Sequence, residues 1–299
     1  MPQATSAAVR PAGFTSTDAM LALMVLIWGV NFIVLKAALT QIDPLALNAL
    51  RFAVAAVAVA AVAMLSGSPH PPRSALPRLA LMGFLGNTLY QFAFIEGVAR
   101  TRAGNAALLM AAVPVQTAVL SHVIGHERLR ARAIAGLALS TAGIAAIVLG
   151  SGKAVGFGST VRGDLLILGA TVCWTFYTIG TKPLVDRFGP ITATAWTMGF
   201  GAVPIVLLSA PALVRQDWMR VTSAGWGAIA FSSLGALVVA YIIWYRGVQR
   251  LGPARTALYS NFTPIVAMLA AWVLLGETPT IWQGMGAGGI FSGLYLTRT

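Results

Sequence analysis

Residues 18–44, DAMLALMVLIWGVNFIVLKAALTQIDP, occur twice in this chain, the second time in degraded form. Asp18 matches Asp164, Trp28 matches Trp174, Lys36 matches Lys182 and Pro44 matches Pro190, all at one offset of 146. Each copy encloses an apolar run of about twenty residues, enough for a helix to cross roughly 30 Å of hydrocarbon. The correspondence continues toward the C-terminus at an offset of 150, pairing Gly97 with Gly247, Arg100 with Arg250, Pro114 with Pro264, Glu127 with Glu277, Gly136 with Gly286 and Gly143 with Gly293. The change of register places four extra residues between Pro190 and Gly247, most cheaply in a loop. The chain is therefore read as two halves, each opening with a membrane helix.

Composition agrees with that reading. The 299 residues are 58% hydrophobic and 9% charged, against roughly 25% charged residues in soluble domains. The excess of basic residues is scattered between apolar runs instead of gathered on one face, so no nucleic-acid partner is expected. Cys173 is the single cysteine, which excludes an intramolecular disulfide. The first apolar run is too long for a secretory signal, and its copy at Asp164 cannot be one, so it is kept in the mature protein.

Hydropathy and breaks place ten segments near 19–39, 44–65, 76–98, 103–124, 131–150, 164–183, 190–212, 224–248, 254–275 and 280–297. The expected fold class is all-α integral membrane, with ten transmembrane helices as two five-helix inverted repeats. An odd number of helices per half makes the second half enter the bilayer from the opposite side. The expected organisation is a disordered cytoplasmic N-terminus at 1–17, a first repeat at 18–150, a linker at 151–163 and a second repeat at 164–299. With the N-terminus inside, cytoplasmic segments hold 12 Lys and Arg and outer segments 7, with Arg51 inside the second helix. That bias favours both termini in the cytoplasm. Asp18 and Asp164 are expected to cap helix N-termini.

The ten-helix plan, the WGVNFIVLK opening and the pattern Pro114, Glu127, Gly136, Gly143, repeated as Pro264, Glu277, Gly286, Gly293, resemble the EamA transporters of the drug/metabolite transporter superfamily. The resemblance covers nearly the whole chain and is greatest to bacterial amino-acid and metabolite exporters, including aromatic amino-acid exporters. It implies export across the bacterial inner membrane by alternating access, with the lipid bilayer as partner and no cofactor.

Cargo has to be argued from the lining, since polar and aromatic residues at helical spacing inside apolar segments rarely face lipid. Asn87, Tyr90, Gln91 and Phe94 form one stripe of the third helix, and at the 150 offset Gln91 and Phe94 match Tyr241 and Trp244 of the eighth. Trp28 with Asn31, and Trp174 with Tyr177, each lie one turn apart. Asn105, Gln116, Ser260 and Asn261 complete the expected wall. Alternatively, intramembrane amides and hydroxyls bond neighbouring helices, and Tyr and Trp near segment ends form interfacial belts. Aromatic walls with amide donors suit a small zwitterion or a planar molecule with an apolar side chain. Pro114 and Pro264 serve either as static kinks or as hinges that expose carbonyls. Lys36 and Lys182 either gate the pathway or snorkel.

The eight acidic residues fall at segment ends or in loops, with Glu96 reaching furthest inward, and a mid-membrane carboxylate relay is missing. Facilitated movement, not strict proton antiport, is therefore expected. A lipid-facing Arg51 would cost about 2.5–3.5 kcal/mol, so this side chain is expected to face protein or the interface. In the tenth helix Gly284 with Gly288 and Gly289 with Gly293 form GxxxG pairs, and Gly136 and Gly143 share a face of the fifth. These faces are compatible with intramolecular packing and with a homodimer.

Other classes fit poorly. GSGKA at Gly150 lacks the first Gly and final hydroxyl of a P-loop, and Val123 after His122 breaks an HExxH zinc motif. No metal site and no catalytic residue is expected. Within transporters the runner-up is a multidrug or nucleobase exporter, with or without proton coupling.

Overall fold

The structure, a computed structural model, describes residues 15–113, 116, 120, 131–150, 159–251, 256, 259–260 and 262–298. Among these residues, besides two short 3-10 turns, Arg73–Ala75 and Trp218–Arg220, there are ten helices. They are α1 (Ser16–Ala38), α2 (Pro44–Leu65), a composite α3 (Leu76–Gly83, Phe84–Leu89, Tyr90–Arg100), α4 (Ala103–Met110) and α5 (Ala131–Gly150). The second half supplies α6 (Ser159–Phe188), α7 (Pro190–Arg215), a composite α8 (Ser223–Ala230, Phe231–Val239, Ala240–Leu251), α9 (Thr263–Leu275) and α10 (Ile281–Arg298). By length and apolarity α1, α2, α6, α7 and α8 each suffice to cross a membrane. Their outward apolar side chains, such as Leu65, Val203, Leu207 and Val214, are exposed, as expected of surfaces facing lipid.

Local sequence explains the boundaries. Thr15 caps α1 and Asp18 reaches back to its backbone, forming a capping box. Asp18 is thus the third residue of the helix and not its cap. Asp43 caps α2 and Pro44 occupies the first turn, where its missing N–H costs nothing. Gly189 ends α6 at a φ of 82°, a left-handed turn that a side chain would strain, and Pro190 starts α7. Helix α6 begins at Ser159, so Asp164 lies inside it, buried, and accepts a hydrogen bond from Thr101 Oγ1. The expected capping role of Asp164 is corrected accordingly: the helix starts earlier, and the carboxylate joins two elements.

The packing is two-fold. Helix α1 packs on α8 and α9, as α6 packs on α3 and α4, while α2 faces α7 and α5 faces α10. Exchanging each helix with its repeat mate leaves these contacts unchanged. Both composite helices carry a π-helical stretch at equivalent places, Phe84–Leu89 and Phe231–Val239. At the α5–α10 seam Ser140 Oγ donates to Ile290 O at 3.3 Å, again between positions 150 apart. A seam joining equivalent positions of the two repeats lies on their common axis.

Candidate functional site

The site lies where repeat mates meet. Trp28 of α1 and Trp174 of α6 contact edge to face, ring centres 5.9 Å apart. Gln91 of α3 and Tyr241 of α8, also mates, approach through Gln91 Nε2 and the Tyr241 hydroxyl at 3.4 Å. Two mated pairs in contact put the pseudo-two-fold axis through this point. Around it Tyr90 lies 5.0 Å from Trp174 and stacks on Phe94 at 5.5 Å, and Trp174 lies 5.4 Å from Tyr241. Offset and edge-to-face rings at these spacings attract one another beyond simple burial.

A cavity of about 70 Å³ opens beside this cluster, room for a few water molecules. Its wall includes Trp28, Asn31, Tyr90, Gln91, Phe94, Trp174, Tyr241 and Pro264. Ser260 joins them, together with Phe32, Ala107, Met110, Val113, Ala236, Leu237 and Thr263. The π-helical stretch of α8 brings Ala236 into that wall, and the Ala236 carbonyl accepts from Trp28 Nε1 at 3.0 Å. Wider turns free carbonyls for such partners, which is why π segments recur at functional sites.

Other expected wall residues lie elsewhere. Trp244 and Tyr177 are fully buried behind the first layer of rings, 5.9 and 5.5 Å from Trp174. Tyr177 shares a 3.0 Å hydrogen bond with Thr197. Asn87 leaves the stripe because it falls in the π-helical stretch of α3, where each residue turns less than in an α-helix. It packs instead against Gly201 of α7. Asn105 accepts from Gln283, and Gln116 bonds Thr171 and Thr175, so both amides join helices. Pro264 stands in the first turn of α9, where it removes no helical hydrogen bond. Pro114 and Asn261 lie outside the described residues.

The two matched lysines sit away from the cavity and differ from each other. Lys36 Nζ donates to the carbonyls of Val98, Ala99 and Thr101 at 3.0, 3.3 and 2.6 Å, tying α1 to the end of α3. Lys182 pairs with Asp186 one turn on, at 2.6 Å.

The functional candidate that sequence reasoning did not assign is Arg51. It is 1% exposed, reaches the cavity from α2, and its Nε and Nη1 make no hydrogen bond. The groups that interact with it electrostatically are the phenols of Tyr241 and Tyr90, which carry no charge near neutral pH. The signal in the sequence was a lone charge within an apolar helix.

A family model described as the EamA-like transporter family matches this chain twice, at residues 15–149 and 161–299. A Salmonella typhimurium protein described as a probable amino-acid metabolite efflux pump is 30% identical over 290 residues, 93% of this chain and 94% of that one. A Streptantibioticus cattleyicolor protein described as a probable terminal-alkyne amino-acid exporter is 30% identical, covering 87% of this chain and 85% of that one. An Archaeoglobus fulgidus protein described as an uncharacterized transporter is 29% identical over 95% of this chain and 97% of that one. A solved crystal structure shares the fold, with a TM-score of 0.66 at 19% identity, over 95% of this chain and 98% of that one.

Proposed function

From the premise that the chain belongs to the EamA-like transporter family, we propose that it exports amino acids, aromatic and apolar ones among them, with related small metabolites. It works by alternating access, as a facilitator, in a bacterial inner membrane with both termini in the cytoplasm. The observation that carries this reading is the cavity beside the pseudo-two-fold axis, walled by Trp28, Tyr90, Trp174 and Tyr241 and edged by the amides of Asn31 and Gln91. Aromatic walls take an apolar side chain, and a few placed polar groups orient the rest of the cargo. Cargo enters this cavity as the two repeats part around it. Parting one repeat from the other about a fixed midplane site is how inverted-repeat carriers alternate. Among the described residues the lining has no Asp, Glu or His, which supports movement down the cargo's own gradient over proton exchange. The names of the Salmonella and Streptantibioticus relatives favour amino-acid cargo.

The test is uptake of a labelled amino-acid panel into liposomes holding the purified protein, with and without an imposed pH gradient, beside Trp28→Ala and Tyr90→Ala. Saturable uptake that ignores the gradient and falls at least tenfold in both variants is expected. Movement of a nucleobase or dye but no amino acid would overturn the cargo assignment. Uptake that requires the gradient would overturn facilitation.

A further inference from the structure

We propose that Arg51 is the carboxylate-binding residue of the transport site, so that the cargo must carry a carboxylate, with its ammonium directed at the amides of Asn31 and Gln91. The inference rests on the cavity reading above and deepens it. A guanidinium taken out of water is costly unless an anion and hydrogen-bond acceptors replace the solvent. At Arg51 Nε and Nη1 find neither: both are buried and unbonded, and among the described residues no carboxylate lies within 4 Å of the side chain. Nor does an aromatic ring lie beneath it in cation–π geometry, the described example being Arg187 over Phe188. Structural arginines inside a membrane are paired with carboxylates or backbone carbonyls. This one is aimed unpaired into the cavity wall.

The complementary half of the recognition is in the same wall. Asn31 Oδ1 and Gln91 Oε1 are buried acceptors with no donor. A donor set lacking an anion and two acceptors lacking a cation share one cavity. A zwitterion satisfies both at once. The planar fork of Arg matches a carboxylate with two parallel hydrogen bonds, and the faces of Trp28 and Trp174 attract an ammonium as well as an apolar side chain. A fixed positive charge in the wall also disfavours purely cationic cargo, which separates this site from one for cationic drugs.

The experiment uses the full chain, Arg51→Met and Arg51→Lys. Three ligands are compared: the amino acid best moved in the liposome panel, its decarboxylated amine and its deaminated acid. For phenylalanine these are 2-phenylethylamine and 3-phenylpropionate. Affinity is read from quenching of tryptophan fluorescence, and stability from the thermal melt without ligand. The wild type should bind the amino acid at least tenfold tighter than the amine. Arg51→Met should lose that ratio while melting no lower than wild type, because it removes an unpaired buried charge. Arg51→Lys, which keeps the charge but not the fork, should retain part of the ratio. If Arg51→Met binds and moves the amino acid as wild type does, or if Arg51→Lys melts like wild type with no preference over the amine, the assignment falls and the amino-acid reading stands. If no amino acid moves but a dye or nucleobase without a carboxylate does, both fall.

Discussion

Replacing Gly293 with alanine should loosen the α5–α10 seam, and the size of the effect follows from geometry. A Cβ at Gly293 would lie 2.2 Å from the Gly136 carbonyl oxygen, 2.2 Å from Ser140 Oγ and 2.7 Å from Ser140 N. Carbon and oxygen in ordinary contact stand roughly 3.3–3.6 Å apart, so the helices must part by about 1 Å. A backbone carbonyl has no rotamer with which to yield. Overpacking of this kind costs about 1–3 kcal/mol. Parting the helices also breaks the bond from Ser140 Oγ to Ile290 O, worth about 1 kcal/mol. Control sites lie on the same helix: a Cβ at Gly284 or Gly288 meets nothing within 4 Å, and alanine there gains up to about 1 kcal/mol of helix propensity. Thermal melting of the detergent-solubilised protein, followed by helical circular dichroism, should show Gly293→Ala well below wild type and both controls at or above it. The affinity of the folded fraction for cargo should not change, since the seam lies away from the cavity. Equal melting of Gly293→Ala and wild type, or an equal loss in Gly284→Ala, would refute the close approach of α5 and α10.

The matched lysines offer a second test. Lys36→Met should cost about 1.5–3 kcal/mol by removing charged hydrogen bonds to three carbonyls. Lys182→Met should cost under about 0.5 kcal/mol, because its partner Asp186 is solvent-exposed; denaturant titration of the two variants compares them directly. Trp28→Phe keeps a ring but loses the 3.0 Å bond to Ala236 O. It should destabilise by about 1 kcal/mol and weaken amino-acid binding far less than Trp28→Ala, as titration by fluorescence quenching from the remaining tryptophans would register.

Part of the candidate cavity wall was legible in the sequence, and particular residues show where legibility ended. Tyr90, Gln91 and Phe94 could be read as one face because that stretch of α3 keeps α-helical periodicity. Asn87 belonged to the same pattern on paper but lies in a π-helical turn, and helical spacing carries no sign of that change. Asn105 and Gln116 have the composition of a binding wall, yet each finds a partner on a neighbouring helix. An amide's partner depends on interhelical distance, which local sequence does not encode. Arg51 stood out as a charge in an apolar helix, but only packing says whether such a charge meets lipid, a carboxylate or a cavity wall.

By itself the sequence determined the class, the duplication and the inversion of this protein. Those follow from additive, local properties: twenty apolar residues make a span whatever surrounds them, and an odd number of spans must reverse the second half. The tertiary structure decided which side chains share a space. Trp28 and Trp174 occupy equivalent positions 146 residues apart, and nothing in either copy requires that they touch. They meet because the two halves pack about an axis, and residues near an axis contact their own mates. Packing between the halves likewise buries Arg51, beside Tyr90 and Gln91 of the first half and Tyr241 of the second.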